Sequence, residues 1–487
     1  MNPLTLPWLE FAILTAIIGS PIVSRLKNPE RAYRGGLAFT AIAFACATLA
    51  WLAFYLDANP AEIRRLSFQP AVFGSIVFTL DELSAPLVPA VALVHFLTAL
   101  ATSRTQMRRF SGSWSLAAEA ISLATFSTKG SWLLVALLAI STIPPYVELM
   151  NRDRPRRVYV WHMALFVGLL VIGYAAVCYS ATPTTPARWW ATVPLLLAIL
   201  VRCGTVPAHC WLTDWFEHAS YGIALLFVAP LSGVYAAVRL VLPIGPDWVL
   251  QSIGWLSMFT AVYAAGMATI QREERRFFAH LFLSHSSLVL VGLELHTELS
   301  LTGSLALWFS VILSLSGFGL VLRALEARFG RRSLADFHGL YEHSPSLAIC
   351  FMLTGLASVG FPGTLGFIST EVLVDSCVEA NPFAGVAVVT AAALNGIAVV
   401  RAYFMLFTGA RHVSTVSLGI GQRERVAVLT VTALILGGGL FPQPGVATRF
   451  RAAEEIVKER RERFPDEHME TEAAGQAPLT QKPSTKH

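Results

Sequence analysis

The feature that most constrains this chain is the length of its apolar runs. Fourteen segments of about 20 residues, each nearly free of charge, alternate with loops that are often rich in arginine. Such a run crosses a bilayer as a helix, because a lipid-embedded backbone must satisfy its own hydrogen bonds. The sequence therefore predicts an all-α polytopic membrane protein of about 14 transmembrane helices. The predicted spans cover residues 5–24, 35–56, 83–102, 113–129, 131–150, 158–179, 191–212, 221–242, 250–270, 277–296, 301–323, 345–378, 384–408 and 426–444.

The composition excludes most soluble functions. Hydrophobic residues make up 55% of the 487 residues and charged residues 14%, against about 25% charged residues in soluble domains. The net charge of +5 comes mostly from loop arginines, so it indicates membrane topology and not nucleic-acid binding. The six cysteines include no C-x-x-C pair, and the chain has no G-x-G-x-x-G, Walker or nucleophile-elbow motif. Neither a metal site nor a free-standing enzyme is predicted.

The loop arginines also predict orientation. They concentrate after spans one, three, five, nine, eleven and thirteen, whereas the opposite loops hold only Arg64, Arg65, Lys129 and Arg188. By the positive-inside rule the arginine-rich loops are cytoplasmic, so both termini are expected on the non-cytoplasmic side of the cell's inner (plasma) membrane. After Thr448 we expect a short amphipathic helix from Arg451 to Arg463 and then a disordered tail.

Two spans are interrupted. Pro207 breaks span seven, and Gly360, Pro362 and Gly363 break span twelve, with charged residues close to both breaks. Interrupted helices at matching positions of two halves are typical of transporters built from inverted repeats, although proline can also simply kink an ordinary helix. Charges beside both breaks favour the transporter interpretation. We therefore predict two inverted five-helix repeats, residues 113–242 (the first unit) and residues 250–408 (the second unit). The predicted flanking regions are residues 1–112, with three spans, residues 426–447, with the last span, and a charged, partly disordered tail, residues 448–487.

Four motifs follow one another from span seven to span fourteen. Residues 202–214 read R-x4-P-x-H-x-W-L-x-D, residues 271–285 read Q-x3-R-R-x2-A-x4-S-H, residues 357–367 read A-S-x-G-x-P-G-T-x-G-F, and residues 437–444 read GGGLFPQP. In this order they resemble signatures of the antiporter-like, M-type membrane subunits of respiratory complex I, which are related to Mrp-type cation/proton antiporter subunits. The resemblance implies a proton-conducting subunit of an NADH:quinone oxidoreductase-like complex, with other membrane subunits as partners. It also implies that this chain binds no cofactor and catalyses nothing alone, because quinone, FMN and iron-sulfur clusters would belong to partner subunits.

The resemblance implies a chain of titratable residues at mid-membrane, and this sequence keeps only part of it. Glu119 matches the glutamate that M-type subunits carry in span four, but Ala139 stands where the family has its span-five glutamate. Arg202 replaces the span-seven lysine, and Val311 stands at the position of a span-eleven histidine. Arginine keeps its proton, so Arg202 can hold an anion or a water chain but should not release a proton.

The end of span twelve also departs from the family. Thr370 takes the place of its lysine or glutamate, and Glu371 follows one residue later, about 100° further round the helix, where it could still reach a central path. Asp81 and Glu82 are predicted to cap span three. The candidate proton-path residues are Glu119, Arg202, His209, Asp214, Glu217, His218, Arg275, His280, His285, Glu371 and Arg401.

Two other functions stay open. The missing span-five glutamate and an R-P turn at residues 154–155 also fit the antiporter-like partner of a two-component inorganic-carbon (bicarbonate or CO₂) uptake system. The lost titratable groups fit a non-conducting structural spacer that only holds neighbouring subunits together.

Overall fold

The structure is a computed structural model. It describes residues 3–56, 59, 62–63, 66–69, 73–103, 105–107, 110–130, 132–180, 189–294, 297–409 and 420–463. The predicted disordered tail lies outside the described residues from position 464 onward, as do the loop arginines Arg64, Arg65 and Arg188.

Helices make up nearly all of the regular structure in these residues. The first ten are α1 (Trp8–Ser24), α2 (Pro29–Tyr55), α3 (Leu87–Leu100), α4 (Gly112–Phe126), α5 (Trp132–Ile140), α6 (Ile143–Asn151), α7 (Arg157–Ser180), α8 (Trp189–Cys203), α9 (Cys210–His218) and α10 (Tyr221–Val228). The others are α11 (Ser232–Ala236), which continues as a π-helical turn (Ala237–Val241), α12 (Asp247–Ile270), α13 (Glu274–Glu294), α14 (Glu298–Phe329), α15 (Pro345–Ser358), α16 (Leu365–Ala380), α17 (Pro382–Phe407), α18 (Gln422–Leu440) and α19 (Pro442–Arg463). Within the described part of the chain, extended pairing is limited to isolated bridges such as that between Phe78 and Thr128.

The prediction of an all-helical membrane protein is confirmed, whereas the count of fourteen spans stays a prediction. Within the described residues, eight helical segments are long and apolar enough to cross a membrane, or nine if α18 and α19, bent by 81°, form one span. Four further apolar helices, α1, α3, α8 and α15, are only 10–17 residues long. Several predicted spans therefore correspond to short helices, or to pairs of helices separated by a break.

Burial separates central helices from peripheral ones. In the most apolar window of α13 and of α14, 94% of the residues are buried, against 28% in α7. A helix that is apolar on all sides and buried on all sides lies in the middle of a bundle. The core of the molecule is therefore formed by α13 and α14.

The predicted break in span seven separates α8 from α9. Gly204 has a left-handed backbone with φ of +72°, and Val206–Pro207 is a cis peptide. The carbonyl of Val201, freed at the end of α8, accepts hydrogen bonds from the Gly204 backbone at 3.1 Å and from the Trp211 indole at 2.8 Å. The exposed backbone is thus satisfied locally, as an interrupted membrane helix requires.

The predicted break in span twelve separates α15 from α16. Gly360 and Gly363 have φ of +82° and +84°, conformations that favour glycine. Helix α18 passes directly over this break, because a Cβ atom at Gly439 would lie 2.3 Å from the Gly363 carbonyl oxygen. The glycine run before the last proline-rich motif therefore allows two backbones to touch.

The C-terminal helix is longer than predicted. α19 begins at Pro442 and not at Arg451, because proline is favoured in the first turn of a helix and the residues after it are compatible with one. Its buried Arg449 donates to the carbonyls of Glu82 and Leu83 at 2.8 and 3.3 Å. The helix is thereby fixed to the loop before α3.

Candidate proton-path site

Helix α4 carries a carboxyl group into the interior of the first unit. The helix begins after Ser111, whose hydroxyl oxygen accepts the Trp114 backbone N–H at 3.4 Å. Glu119 is fully buried on the face that also buries Leu116 and Leu123. Neither of its carboxyl oxygens has a hydrogen-bond partner among the described residues. An unpaired carboxyl group in an apolar span is costly, which makes it a candidate functional group.

Arg202 is buried in the last turn of α8 among aromatic rings. Its guanidinium lies 4.1 Å from the centre of the Phe227 ring and 5.8 Å from that of Trp211. One terminal nitrogen donates to Ser232 Oγ at 2.7 Å, while Nε has no partner in the part of the chain that is described. Cation–π contacts therefore stabilise this charge where an ion pair with a span-five glutamate would be expected in the family.

A small cavity connects α4 with Arg202. It measures about 30 Å³ and its lining includes Ser115 and Ser122 of α4, Pro144 of α6, Arg202 and Ser232. A site needs roughly 10–15 Å³ and two or more polar partners to hold a water molecule. The cavity therefore has the size and the hydroxyl groups for about two waters between the turns that flank Glu119 and the guanidinium.

Span five contributes no titratable group to this cavity. The segment is interrupted between α5 and α6, and Ala139 is half-buried just before the interruption. The nearby carboxylate of Glu148 is buried but already paired, because it accepts Arg152 Nε at 2.6 Å and the Ser220 backbone N–H at 3.2 Å. Glu148 thus anchors the start of α10 and is not free to exchange protons with Arg202.

Several predicted path residues meet at the junction of α9 with α13. His218 Nδ1 lies 3.2 Å from the Asp214 carboxylate, and Arg276 lies 2.7 Å from the Glu217 carboxylate. The Glu217 and Arg276 side chains are 27% and 49% exposed, respectively. The structure therefore brings these residues together, but at helix ends near the surface and not in the middle of a span.

Arg275 is the most strongly bound residue of this junction. Its guanidinium donates to both carboxylate oxygens of Glu326 at 2.6–2.7 Å and to the carbonyls of Phe216 and Ala219 at 2.8 and 2.7 Å. Those carbonyls end α9, where a positive charge is favourable. Arg275 therefore caps the C-terminal end of α9, which is the second half of the broken span seven.

Two histidines lie beside the first break. The His209 ring packs edge-on against Tyr263 at 5.5 Å, and its Nδ1 has no partner among the described residues. His280 Nδ1 lies 2.8 Å from the Arg276 carbonyl and interacts electrostatically with His209. His209 is only partly buried, and His280 is held by a carbonyl group of its own helix. The two histidines therefore form a polar edge beside the break.

His285 lies at the second break. It is buried, its Nδ1 lies 2.8 Å from the Leu281 carbonyl, and its ring interacts with the Ser358 backbone, where α15 ends. The preceding residue, Ser284, donates to a backbone carbonyl and accepts Asn395 Nδ2 at 2.8 Å. Two adjacent residues of α13 thus contact neighbouring helices, His285 at the end of α15 and Ser284 on α12 and α17.

Glu371 does not reach the interior of this chain, which corrects the prediction made from the sequence. It is exposed on α16, while the preceding Thr370 turns inward and would lie 3.2 Å from a Cβ atom at Gly360. The reason is the helical rotation of about 100° per residue, which separates the two side chains. Asp375, one turn later, is exposed on the same face.

Arg401 is occupied by backbone groups. Its guanidinium donates to the carbonyls of Gln271 and Leu334 at 3.1 and 3.2 Å, which joins α17 to two loops. The buried Val311 of α14 supplies no ionisable group. No group of three or more His, Cys, Asp or Glu side chains that could hold a metal ion occurs among the residues described.

His95 was overlooked in the sequence although a signal was present. It is the lone charged or titratable side chain of α3, it is fully buried, and neither ring nitrogen has a hydrogen-bond partner within the described part of the chain. A single ionisable residue in an apolar span is a reason to suspect function. Its position follows from the packing of α3 against α4, which no local sequence pattern predicts.

Asp81 caps the turn that leads into α3, because its Oδ1 accepts the Ser84 backbone N–H at 2.9 Å and Ser84 Oγ accepts the Asp81 backbone N–H at 3.0 Å. α3 begins only at Leu87, and both oxygens of Asp81 accept Arg239 Nη2 at 2.8 and 2.6 Å. Burial by itself raises the pKa of Asp81, but the Arg239 guanidinium, the Ser84 backbone N–H and the Lys129 ammonium together outweigh this and hold the pKa below its ordinary value. Asp81 therefore fixes the loop before α3 to the π-helical turn.

Comparison with known proteins identifies the family of this region. Residues 160–395 match the NADH:quinone oxidoreductase/Mrp antiporter transmembrane family. NADH-quinone oxidoreductase subunit M of Mycobacterium tuberculosis is 27% identical over 281 residues, 56% of this chain and 50% of that subunit. The matched region therefore spans about half the length of this relative. Subunit 13 of the Thermus thermophilus NADH-quinone oxidoreductase is 26% identical over 416 residues, which cover 79% of this chain and 86% of that subunit. The matched region is thus similar to the antiporter-like transmembrane family, and this chain resembles M-type subunits.

Solved structures extend the likeness over almost the whole antiporter-like chain. A chain of respiratory complex I from Thermus thermophilus superposes with a TM-score of 0.80 at 21% identity, covering 93% of this chain and 99% of that one. A chain of the Mrp complex from Dietzia sp. superposes with a TM-score of 0.81 at 18% identity, covering 96% and 99%. At these identities the likeness is one of fold. Both of these structures are multi-subunit membrane complexes.

Proposed function

We propose that this antiporter-like chain is a membrane subunit of an NADH:quinone oxidoreductase-like complex and takes part in proton translocation. The observation that supports this most is Glu119, a buried carboxyl group without a hydrogen-bond partner among the described residues, on a helix whose Ser115 and Ser122, one turn to either side, line a cavity that reaches Arg202. A proton carrier must be able to change its hydrogen-bond partner, and an unpaired group next to room for water can do so. The match of residues 160–395 to the family supports the same function.

The finer organisation follows from the same proposal. The chain would cross the plasma membrane fourteen times, with the two units as inverted repeats and both termini outside the cytoplasm. It would bind no redox cofactor, and conduction would run through the first unit. In this unit Glu119 would carry the proton, and Arg202 would hold the water chain without releasing a proton.

Partner subunits are part of the proposal. Glu371 and Asp375 are exposed on one face of α16, inside a predicted membrane span. Charged side chains are very unfavourable against lipid tails, so this face is better explained by a neighbouring subunit or an aqueous surface than by lipid. The assemblies that contain the fold neighbours, complex I and the Mrp complex, make a membrane subunit the favoured explanation.

The test is the replacement Glu119→Gln in the complex that co-purifies with the full-length tagged chain. The complex would be reconstituted in liposomes with a pH-sensitive dye inside, and electron transfer from NADH to quinone would be measured in parallel. We expect proton uptake per electron to fall by roughly 100-fold, the scale of losing a positioned proton carrier. Uptake that stays at the wild-type level would overturn the proposal.

The matched control is Glu274→Gln. Glu274 is also buried and has no hydrogen-bond partner among the described residues, but it lies in the first turn of α13, at the surface end of the bundle. We expect this variant to translocate protons normally. Loss of uptake in both variants would point to a general effect of removing buried carboxyl groups.

A structural spacer is the second candidate. It is favoured by Arg202, which aromatic rings and Ser232 hold in place, and by the absence of a titratable group at Ala139. If the chain is a structural spacer, even the wild-type complex, in which Glu119 is intact, takes up no protons through this chain. The inorganic-carbon alternative predicts that no quinone-reductase subunit co-purifies, which mass spectrometry of the same preparation would reveal.

A further inference from the structure

We propose that protons enter the first unit through a second cavity, between α2, α3 and α4, and reach Glu119 through His95 and Ser115. This inference rests on the proposed function and names residues that the family motifs do not include. The argument has three steps: a cavity, a set of unpaired polar groups and a connection between two cavities.

The cavity lies beside the predicted cytoplasmic loops. It measures about 50 Å³ and its lining includes Tyr33 and Gly36 of α2, Ala99 of α3, and Phe110 and Ser115 at the start of α4. The start of α2, the end of α3 and the start of α4 adjoin the arginine-rich loops after spans one and three. Protons arriving from the predicted cytoplasmic side would therefore meet this cavity first.

Three buried polar side chains with unpaired polar atoms lie on the two helices α3 and α4 that border this cavity, and one of them, Ser115, lines it. Both ring nitrogens of His95, the Ser115 hydroxyl and the Thr98 hydroxyl have no hydrogen-bond partner in the described residues. All three residues are at least 97% buried, and the His95 ring lies close to the Ser115 backbone without reaching hydrogen-bonding geometry. Buried polar groups are almost always paired, so a cluster of unpaired ones indicates bound water or a transfer function.

Ser115 connects this cavity to the first one. It lines the cavity between α2, α3 and α4 and also the cavity that contains Arg202. Glu119 follows Ser115 by four residues, which places the two on the same face of α4, about 6 Å apart along the helix axis. The Ser115 backbone, which lies close to the His95 ring, is therefore one helical turn from Glu119.

The end of α3 that follows His95 is anchored to α14. The guanidinium of Arg323 on α14 donates to the Thr98 carbonyl at 2.7 Å and to Thr102 Oγ1 at 2.9 Å, one to two turns from His95. In each step one ring nitrogen of His95 takes a proton from water while the other releases one toward Glu119, so one N–H or O–H bond forms for each that breaks.

The experiment measures exchange at Glu119 itself. Infrared difference spectra of the purified complex after a change from H₂O to D₂O report the carboxyl band of Glu119, which is assigned by its loss in Glu119→Gln. We expect exchange at Glu119 to slow by roughly tenfold or more in His95→Gln, because the relay group is missing. The control is His343→Gln, since His343 also has an unpaired buried ring nitrogen but lies in the loop before α15.

A second variant tests the cavity without touching a titratable group. A Cβ atom at Gly36 would lie 3.8 Å from Gly112 Cα, an ordinary contact, so Gly36→Ala should fold normally while it fills part of the cavity. We expect this variant to slow exchange as well, whereas Gly437→Ala, where a Cβ meets nothing within 4 Å, should not. Wild-type exchange rates in both His95→Gln and Gly36→Ala would overturn the input route.

This readout separates the two proposals. Slow exchange in His95→Gln together with no proton uptake in the wild-type complex would leave the route in place and refute the proposed translocation. Normal exchange in His95→Gln together with lost uptake in Glu119→Gln would refute the route and leave the proposed translocation in place.

Discussion

In the first unit Glu119 is buried with no hydrogen-bond partner among the described residues, whereas in the second unit His285 bonds the Leu281 carbonyl and Ser284 bonds Asn395. Arg275 of the second unit is bound even more completely, to Glu326 and to the end of α9. Groups that keep one partner hold helices together, while a proton carrier must exchange partners. The comparison teaches that Glu119 is free to exchange partners within a span, whereas His285 and Arg275 are held in place and the unpaired Glu274 of the second unit lies in the first turn of α13.

The largest effect is expected from removing the support at the junction of the two units. Arg275→Met leaves Glu326 and the carbonyls of α9 without their donor, and breaking a buried ion pair in this way costs about 3–5 kcal/mol. We expect little folded protein in detergent, measured by the monodisperse peak in size-exclusion chromatography. The neighbouring Arg276→Gln is the control, because its half-exposed pair with Glu217 should contribute no more than about 1 kcal/mol. Equal yields of the two variants would contradict a structural role for Arg275.

The sequence predicted the two helix breaks but not the partners of the buried polar side chains. Prolines and glycines at residues 207, 360, 362 and 363 predicted both breaks, because these residues interrupt helices locally. The partners of Arg275 lie 51 and up to 59 residues away in sequence, so no local pattern could reveal them. His95 was missed for the same reason, since its neighbour Ser115 belongs to another helix.

The direction in which a side chain faces was harder to predict than its location within a membrane span. The apolar pattern of α16 placed Glu371 inside a span, but a single position of offset turned it to the outer surface. In α4, by contrast, Glu119 shares a face with Leu116 and Leu123, so its burial follows from the helical period. The chemistry of a membrane carboxyl group thus depends on the face it occupies.

A smaller effect is expected from replacing Asp81, which binds Arg239 of the first unit. This replacement tests whether paired charges in the first unit are also structural. Asp81→Asn should lower the stability by about 1.5–3 kcal/mol at pH 7, the range for a hydrogen bond to a charged group. The Arg239 guanidinium helps to hold the pKa of Asp81 below its ordinary value, so this contribution is complete above about pH 4 and is lost as the pH falls through the folded-state pKa. Melting temperatures in detergent at pH 7 and at pH 3 would show the difference between variant and wild type shrinking in acid.

Glu82→Gln is the control for that measurement. Glu82 is 26% exposed and lies 3.7 Å from Arg451, so its removal should change the stability by no more than about 1 kcal/mol. A difference between Asp81→Asn and wild type that is the same at both pH values would mean that the charge of Asp81 is not the source of the stability.

The smallest effect is expected for His285→Gln, and it is the sharpest test of the comparison between the units. The family motif makes this histidine a candidate relay, but its Nδ1 is held by the carbonyl one turn earlier and its ring bridges to the end of α15. A group fixed between two backbone positions would have to break a buried hydrogen bond for every proton it passed, at a cost of about 1–3 kcal/mol each time. We therefore expect proton uptake per electron, measured in the same liposomes as for Glu119→Gln, to change by no more than about twofold, with a small loss of stability. If His285→Gln stopped uptake as completely as Glu119→Gln, conduction would have to run through both units, and the hydrogen bonds seen around His285 would belong to one state of a moving relay.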